Sequence, residues 1–415
     1  MQEVVITGLG IVCPLGIGRE AVWSAIESRT SGVRPIPRLA EAGFPIAFGG
    51  EVPDFDGKQY VQPRKSLKVM CRETQLAFTA AELAWADAKL NEATVDPERL
   101  GVVLGANVFR SEMDELIALY RATGDSNGQF DFGRWEAAFN ELYPLWMLKY
   151  LPNMSACHIG ISKDARGPNN TIVEGDVSAL LSIIEAADTI ARGHADIMLT
   201  GATGSTLSWV DVCWHGGARM SRNNADPAGA CRPFDTARDG FAMAEGSAAF
   251  VLESLAHAEQ RGAKILGRIL GYGRRVEKVA PGSALSGQAI GQAIQAALAM
   301  GHVAPTEVGH VNAHGLATIE DDAAEARAIE ETLGEVPVTA LKGFLGNGGA
   351  SCGAIELAVS LLSMERNVIP PALNCDDPAV PLNMATSMQF ASSPAFLKLN
   401  HKSTGQAVAL LVSTE

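Results

Sequence analysis

Two carboxylates flank a glycine in the tripeptide Glu174-Gly175-Asp176, where residue types and spacing could support chemistry. If both side chains were buried together, each would raise the pKa of the other, and one could act as an acid or base. On a tight turn the two can instead point apart, and the sequence leaves both arrangements open. Asp176 could also line a pocket as a polar plug. A purely structural interpretation is equally open, because an aspartate in the first turn of a helix stabilises that helix by about 0.3–1 kcal/mol.

The surrounding pattern places this tripeptide between a strand and a helix. Residues 171–173 can form one strand, and residues 197–199 predict another. Gly193 lies where a helix end is expected. Backbone N–H groups at the start of a helix are unpaired and favour negative charge there. The apolar residues that recur at helical spacing are Val177, Leu180, Leu181, Ile184, Ala187 and Ala191.

Residues 167–196 as a whole resemble the nucleophile elbow of the β-ketoacyl synthases of the thiolase superfamily. The similarity consists of Gly-Pro-Asn at 167–169, a short strand, a turn, and a helix that ends in Gly-His-Ala-Asp at 193–196. In that family the turn carries the cysteine that takes up the acyl chain. Counting from residue 167 without a gap places Asp176 at that position. The resemblance therefore implies a ketosynthase without its cysteine.

Asn312-Ala313-His314-Gly315 is similar to the first catalytic-histidine motif of ketosynthases. A lone histidine is more often structural, but one between a strand end and a glycine can point its ring into a pocket. The resemblance implies that His314 donates a hydrogen bond to a thioester carbonyl and stabilises the enolate left when malonate loses CO₂. It also implies that Thr318 contacts substrate, while Asp322 and Glu325 support the site.

The stretch 342–356 resembles the second histidine motif, with its lysine and glutamate present as Lys342 and Glu356. Asn347 occupies the position of the second histidine. An asparagine can still donate a hydrogen bond to a carbonyl oxygen, so an enolate-stabilising pair of His314 and Asn347 is expected. It cannot change protonation state near neutral pH.

The final motif of ketosynthases, a Gly-Phe-Gly-Gly loop, is the most altered. Residues 401–406 read His-Lys-Ser-Thr-Gly-Gln, with Lys402 at the position of the gating phenylalanine. We expect Lys402 and Ser403 to contact substrate, with gating and backbone geometry that differ from those of the family. Phe241, in a string at 231–246 that ketosynthases share, is a further predicted substrate contact.

Composition limits the partners and the location of the protein. The 415 residues are 47% hydrophobic and 19% charged, which is typical of a globular chain, and the net charge of −14 argues against nucleic acid and anionic membranes as partners. The seven cysteines include no Cys-x-x-Cys pair. This pattern predicts that the protein is located in the reducing cytoplasm and has no metal site. We also expect no cofactor and no transmembrane segment, and we discount the Gly8-Leu9-Gly10 turn as a dinucleotide site because the third glycine is missing.

Alternating strand and helix patterns repeat coarsely along the chain and predict an α/β fold. With the resemblance, this implies a thiolase-like pair of duplicated halves, residues 1–253 and 254–415. The expected architecture is a five-layer αβαβα sandwich with central mixed sheets.

Three functions are compatible with these residues. The first is a non-condensing subunit, like the chain-length factor that pairs with a ketosynthase in type II polyketide systems. The second is a stand-alone decarboxylase or hydrolase of acyl or malonyl thioesters that uses His314 and Asn347, assisted by Asp176 or Glu174. The third is a condensing enzyme with an unusual nucleophile, for which Cys352 is a candidate. The expected partners are an acyl carrier protein or coenzyme A thioester and a dimer mate, which is either a second copy or a cysteine-bearing ketosynthase.

Overall fold

The computed structural model describes residues 2–215, 219–280 and 282–415. The helices of this part are α1 Arg19–Glu27, α2 Pro37–Glu41, α3 Arg72–Asp87, α4 Met113–Ala122, α5 Trp135–Ala138, α6 Met154–Ser162, α7 Ser178–Ala191, α8 Trp209–His215, α9 Leu255–Gln260, α10 Gln288–Gly301, α11 Ile319–Leu333, α12 Lys342–Leu345 and α13 Cys352–Met364. The strands are β1 Val4–Cys13, β2 Gly16–Ile17, β3 Arg34–Pro35, β4 Phe48–Gly49, β5 Leu100–Ala106, β6 Asn169–Ile172, β7 Ile197–Ser205, β8 Glu245–Ser254, β9 Gly267–Val276, β10 His310–Asn312, β11 Pro337–Thr339, β12 Val368–Ile369, β13 Asn383–Met384, β14 Gln389–Phe390, β15 Ala395–His401 and β16 Gln406–Ser413.

The sheet order shows that the fold is duplicated. In the first half the strands run β1-β8-β7-β5-β6, and in the second half they run β9-β16-β15-β10-β11. In both halves the last three strands are parallel and the first two are antiparallel to their neighbours. The mixed α/β class and the duplicated halves are therefore confirmed.

The two halves are joined more closely than the sequence predicts. Strands β1 and β9 pair antiparallel through Val5 with Arg268 and Ile6 with Gly267. Among the described residues, this pairing joins the two expected sheets into one sheet of 12 strands, which also contains β2 beside β1 and β13 beside β11. The division of the chain at residues 253 and 254 remains a prediction.

Helices lie in three layers around this sheet. Helices α7 and α13 contact each other at the centre, α3 and α6 cover the first half, and α10 and α11 cover the second. Buried aliphatic side chains fill the spaces between layers: Leu180 and Leu357 in the centre, Leu76 on one side and Ile294 on the other. The αβαβα layering agrees with the sequence-based expectation.

The predicted helix after the tripeptide is confirmed as α7, which buries Leu180, Ile183 and Ile184 completely. Gly193 follows it with φ of 76°, as expected for a glycine at a helix end. The strand before the turn lies slightly earlier than predicted, at Asn169–Ile172.

Candidate functional site

The tripeptide forms a sharp connection between β6 and α7. Gly175 has φ of 58°, a left-handed conformation that glycine adopts without the strain caused by a Cβ atom. A short 3₁₀ turn, Gly175–Val177, leads into the helix, and Ser178 Oγ accepts a hydrogen bond from the Glu174 N–H at 2.7 Å. This geometry presents Asp176 to a cavity at the helix start, as an elbow would present a nucleophile.

We call this space the elbow cavity. Its volume is about 320 Å³, and it is lined by five of the predicted site residues: Glu174, Asp176, Phe241, Asn347 and Lys402. Phe241 is buried, and its backbone N–H donates to Arg219 O at 3.0 Å. Five residues predicted from segments more than 200 residues apart therefore meet at this one cavity.

The two carboxylates of the tripeptide lie in different surroundings. The Glu174 side chain is 44% exposed, and its Oε2 lies 3.4 Å from Lys402 Nζ at the rim. Asp176 Oδ1 is buried and has no hydrogen-bond partner among the residues that the structure describes. The structure therefore favours the arrangement in which they point apart, without a shared buried environment.

Lys402 stretches across the elbow. A Cβ built on Gly175 would lie 3.6 Å from Lys402 Cε, so the lysine stem packs on the turn itself. Its predicted neighbour at the site, Ser403, is exposed and does not line the elbow cavity. The Ser403 hydroxyl accepts from Arg219 Nη1 at 3.1 Å, so it reaches the cavity only through that lining arginine.

His314 is fully buried and held in one tautomer. Its Nδ1 lies 3.1 Å from Lys342 Nζ and 2.9 Å from Asn400 Nδ2, both of which are donors. Burial and the Lys342 charge hold the pKa of His314 well below its usual value. The ring is therefore neutral, with its proton on Nε2, and Nε2 has no partner in the described part of the chain. An unused N–H donor is what stabilisation of an enolate requires.

A buried charge network lies behind this histidine. Glu356 forms ion pairs with Lys342 at 2.7 Å and Lys398 at 2.8 Å, and all three side chains are fully buried. Burial opposes the charge on Lys342, but Glu356 outweighs it and raises the pKa of this lysine. Burial also opposes the charge on Lys398, and here it prevails and lowers the pKa.

Glu325, which the sequence analysis expects to support the site, contacts backbone groups of the histidine motif. Glu325 accepts hydrogen bonds from the N–H groups of His314 at 2.7 Å and Gly315 at 2.8 Å. Although burial opposes ionisation, His401 and these N–H groups lower the pKa of Glu325. These bonds fix the backbone that carries the catalytic-histidine motif.

Asp322 braces the loop before α11. It accepts from Phe234 N at 2.7 Å and Ala317 N at 3.0 Å, and burial raises its pKa to about 7. Thr318, predicted to contact substrate, lies in this loop and is buried. Its hydroxyl donates to Asp321 at 2.5 Å, and it does not line the elbow cavity.

Asn347 is oriented by its neighbours. Its Oδ1 accepts hydrogen bonds from Cys352 Sγ at 2.9 Å and Gly349 N at 3.3 Å. The amide nitrogen consequently faces away from them and is left for the elbow cavity, which Asn347 lines. Burial raises the pKa of the Cys352 thiol to about 12, so it is a neutral donor here and not the candidate nucleophile.

The sequence analysis missed Lys398, Asn400 and His401, which lie around His314 on β15, and the cavity-lining residues Arg110, Asp211, Arg219 and Leu316. The His401 ring packs edge-on against His314, with centroids 4.7 Å apart. The available signal was the alternation of polar and apolar residues at 397–400, which is unusual in a strand that is buried throughout.

The described residues also limit the other classes of site that the chain can form. Within 2–215, 219–280 and 282–415, no group of three or more His, Cys, Asp or Glu side chains could hold a metal ion. In the same part of the chain, no helix is long and apolar enough to cross a membrane.

Most of the chain matches the models of one known protein family. The family model described as Beta-ketoacyl synthase, N-terminal domain, matches residues 1–258, and the C-terminal domain model matches residues 266–376. The chain belongs to the β-ketoacyl synthase family. This confirms the resemblance inferred from the motifs.

Similar ketosynthases come from polyketide and fatty-acid pathways. The granaticin polyketide putative β-ketoacyl synthase 1 of Streptomyces violaceoruber is 34% identical over 384 residues, covering 91% of this chain and 89% of the relative. The 3-oxoacyl-[acyl-carrier-protein] synthase 2 of Coxiella burnetii is 32% identical, with 91% and 89% covered.

Solved ketosynthase structures share the fold over the whole chain. A β-ketoacyl synthase from Burkholderia phymatum superposes with a TM-score of 0.87 at 26% identity, with 100% of both chains covered. The ishigamide ketosynthase/chain length factor gives 0.87 at 26% identity, with 100% of this chain and 99% of that chain covered. The thiolase-like architecture is thus established.

Proposed function

We propose that this ketosynthase homologue is the non-condensing subunit of a ketosynthase pair in polyketide or fatty-acid type biosynthesis. The observation that carries the proposal is Asp176, a carboxylate presented at the elbow where an acyl-accepting cysteine is expected. The active subunit would supply that cysteine, and this chain would shape the shared assembly.

A carboxylate cannot replace the thiolate in this role. Attack of Asp176 on a thioester carbonyl would expel the thiolate and form a mixed anhydride, which is a more reactive acyl donor than the thioester it came from. The equilibrium would therefore lie far towards the starting thioester. Cys352 offers no alternative, because its thiol is buried, neutral and already donating to Asn347.

The stretch of residues 108–151 exposes many large hydrophobic side chains, and this surface supports the docking of a partner. We call it the apolar face. The large hydrophobic side chains exposed between residues 108 and 151 are Val108, Met113, Ile117, Tyr120, Phe130, Phe132, Phe139, Tyr143, Leu145, Met147 and Leu151. Phe130 contacts Phe132 and Trp135, with ring centroids 4.8 and 5.5 Å apart. Grouped apolar surface of this kind marks protein interfaces.

The identity of the proposed partner follows from the family. One solved relative is described as a ketosynthase/chain length factor, and another as an acyl carrier protein in complex with its ketosynthase. By analogy, we infer a cysteine-bearing ketosynthase as the dimer mate and an acyl carrier protein as the source of thioester.

Co-expression tests this assignment. The chain, of 43.7 kDa, should co-purify with a co-expressed cysteine-bearing ketosynthase as a one-to-one complex, measured by light scattering after size-exclusion chromatography. The double variant Phe132→Ser/Met147→Ser should weaken the complex. Phe390→Ser is the matched control, because Phe390 is 83% exposed but lies outside the apolar face. A stable homodimer that ignores the ketosynthase would contradict the proposal.

A second candidate is decarboxylation of a malonyl thioester. The unpartnered His314 Nε2–H and the Asn347 amide could both donate to an enolate oxygen as the carbon–carbon bond breaks and CO₂ leaves, after which water would protonate the carbanion. His314 has no accessible surface and does not line the elbow cavity, so the side chains around it would have to move before a thioester could reach it. We therefore rank this function second. Release of CO₂ that disappears in His314→Ala would favour it.

A further inference from the structure

The elbow cavity has a floor with two complementary polar groups. Asp176 Oδ1 is a buried acceptor without a partner, and the Asn347 amide nitrogen is a donor without a partner among the described residues. Asn347 is only 4% exposed, so its orientation is fixed by packing and by the two bonds to its oxygen. Both residues line the elbow cavity, and the turn that carries Asp176, Gly175–Val177, packs against the turn that follows Asn347, Gly349–Ser351.

The cations around the elbow cavity are engaged elsewhere. Asp176 is one of the charges that act on Lys342. The three ammonium protons of Lys342 are nevertheless directed at His314 Nδ1, His314 O and Glu356 Oε1. The lining cations each have a carboxylate of their own: Lys402 with Glu174, Arg219 with Asp321, and Arg110 with Asp211. Among the described residues no donor bonds to this Asp176 oxygen; because the atom is buried, a ligand in the elbow cavity reaches it only after the side chains around it move. Leaving a buried acceptor unsatisfied is costly, so a ligand that donates to it gains affinity.

The shape of the space limits the ligand further. A volume of about 320 Å³ lies at the small end of ligand pockets and suits a short acyl group. The lining mixes charged side chains with few apolar ones such as Phe241 and Leu316, so a plain alkyl chain would bury polar groups without bonding them.

We propose that the elbow cavity binds a short acyl thioester that carries a hydrogen-bond donor, either a hydroxyl or an ammonium group, on its second or third carbon. The thioester carbonyl accepts from the Asn347 amide, and the donor group bonds to Asp176 Oδ1. The proposal rests on membership of the ketosynthase family and does not depend on whether a partner subunit docks.

Calorimetric titration with pantetheine thioesters tests this inference. The probes are butyryl-, 2-hydroxybutyryl-, 3-hydroxybutyryl- and 3-aminobutyryl-pantetheine, which differ only in the donor. The wild-type protein should bind at least one donor-bearing thioester on the order of tenfold more tightly than the butyryl compound. Equal dissociation constants for all four, or no binding of any, would overturn the proposal.

Variants at Asp176 distinguish the donor classes. Asp176→Asn retains an acceptor oxygen of the same size, so it should keep a preference for hydroxyl and lose any preference for ammonium. Asp176→Leu should lose both, and a preference that survives it would overturn the proposal. If Asp176→Leu fails to fold, Asp176→Ala replaces it, because alanine also removes the acceptor and adds no bulk; a preference that survives Asp176→Ala would equally overturn the proposal. Asp164→Asn is the matched control, because Asp164 is exposed and, among the described residues, pairs only with Arg166.

Formation of the subunit complex is measured separately. Loss of the complex with intact ligand preference would refute the proposed function and leave this inference standing. An intact complex with no ligand preference would refute this inference and leave the proposed function standing.

Discussion

Replacing Glu356 with glutamine would leave two buried lysines without their shared counter-charge. Lys342 and Lys398 lie 2.7 and 2.8 Å from the two carboxylate oxygens, and none of the three side chains is exposed. Removing one partner from a buried ion pair costs about 3–5 kcal/mol. Part of this cost is relieved because Lys398, whose pKa is already lowered by burial, can lose its proton. We therefore expect the lower end of that range, about 3 kcal/mol.

Guanidinium denaturation followed by tryptophan fluorescence measures this loss as a lower midpoint at unchanged slope. Glu365→Gln is the matched control. Glu365 follows the same helix and forms ion pairs with Arg19 and Lys264, but it lies at the surface with a side chain 19% exposed. Exposed pairs are worth about 0–1 kcal/mol, so the control should change little. If Glu356→Gln cost no more than Glu365→Gln, the reasoning about the buried network would be refuted.

Three further outcomes follow from the structure. Iodoacetamide should label the exposed Cys213 in the native protein and leave Cys352 unmodified, as checked by peptide mass spectrometry; rapid labelling of Cys352 would contradict its buried, neutral state. Burial raises the pKa of Asp322 to about 7 from 3.8, so the native state holds this proton more tightly than the unfolded state does. The resulting stabilisation is lost as the pH rises through about 7. The free energy of unfolding of the wild type should therefore exceed that of Asp322→Asn by more at about pH 5 than at about pH 8. Gly175→Ala should cost about 1 kcal/mol by chemical denaturation, because φ is 58° while the nearest atom to the new Cβ is 3.6 Å away; a loss above ~3 kcal/mol would point to a clash that the structure does not show.

The elbow and its helix could be predicted from sequence because their determinants are local. Apolar spacing fixed the buried face of α7, and Gly193 marked its end. The duplicated fold followed from the order of elements and from family motifs. The joining of both halves through β1 and β9 could not be predicted from the sequence, because it depends on pairing between strands more than 260 residues apart.

The candidate site was predicted in part for the same reason. Motifs identified His314 and Asn347, whereas Asn400 contacts His314 across 86 residues and leaves no local pattern. Thr318 and Ser403 were assigned to substrate by motif position alone. In the structure one bonds to Asp321 and the other faces solvent, because the direction of a side chain at a turn depends on the backbone around it.

Intact-mass spectrometry with an elongation assay tests the central claim most directly. The purified chain is incubated with acyl- and malonyl-carrier thioesters, first alone and then with a cysteine-bearing ketosynthase. We predict no acyl adduct on this chain and no elongated product without the second subunit. A stable acyl adduct at Asp176, or carbon–carbon bond formation by this chain alone, would contradict the account.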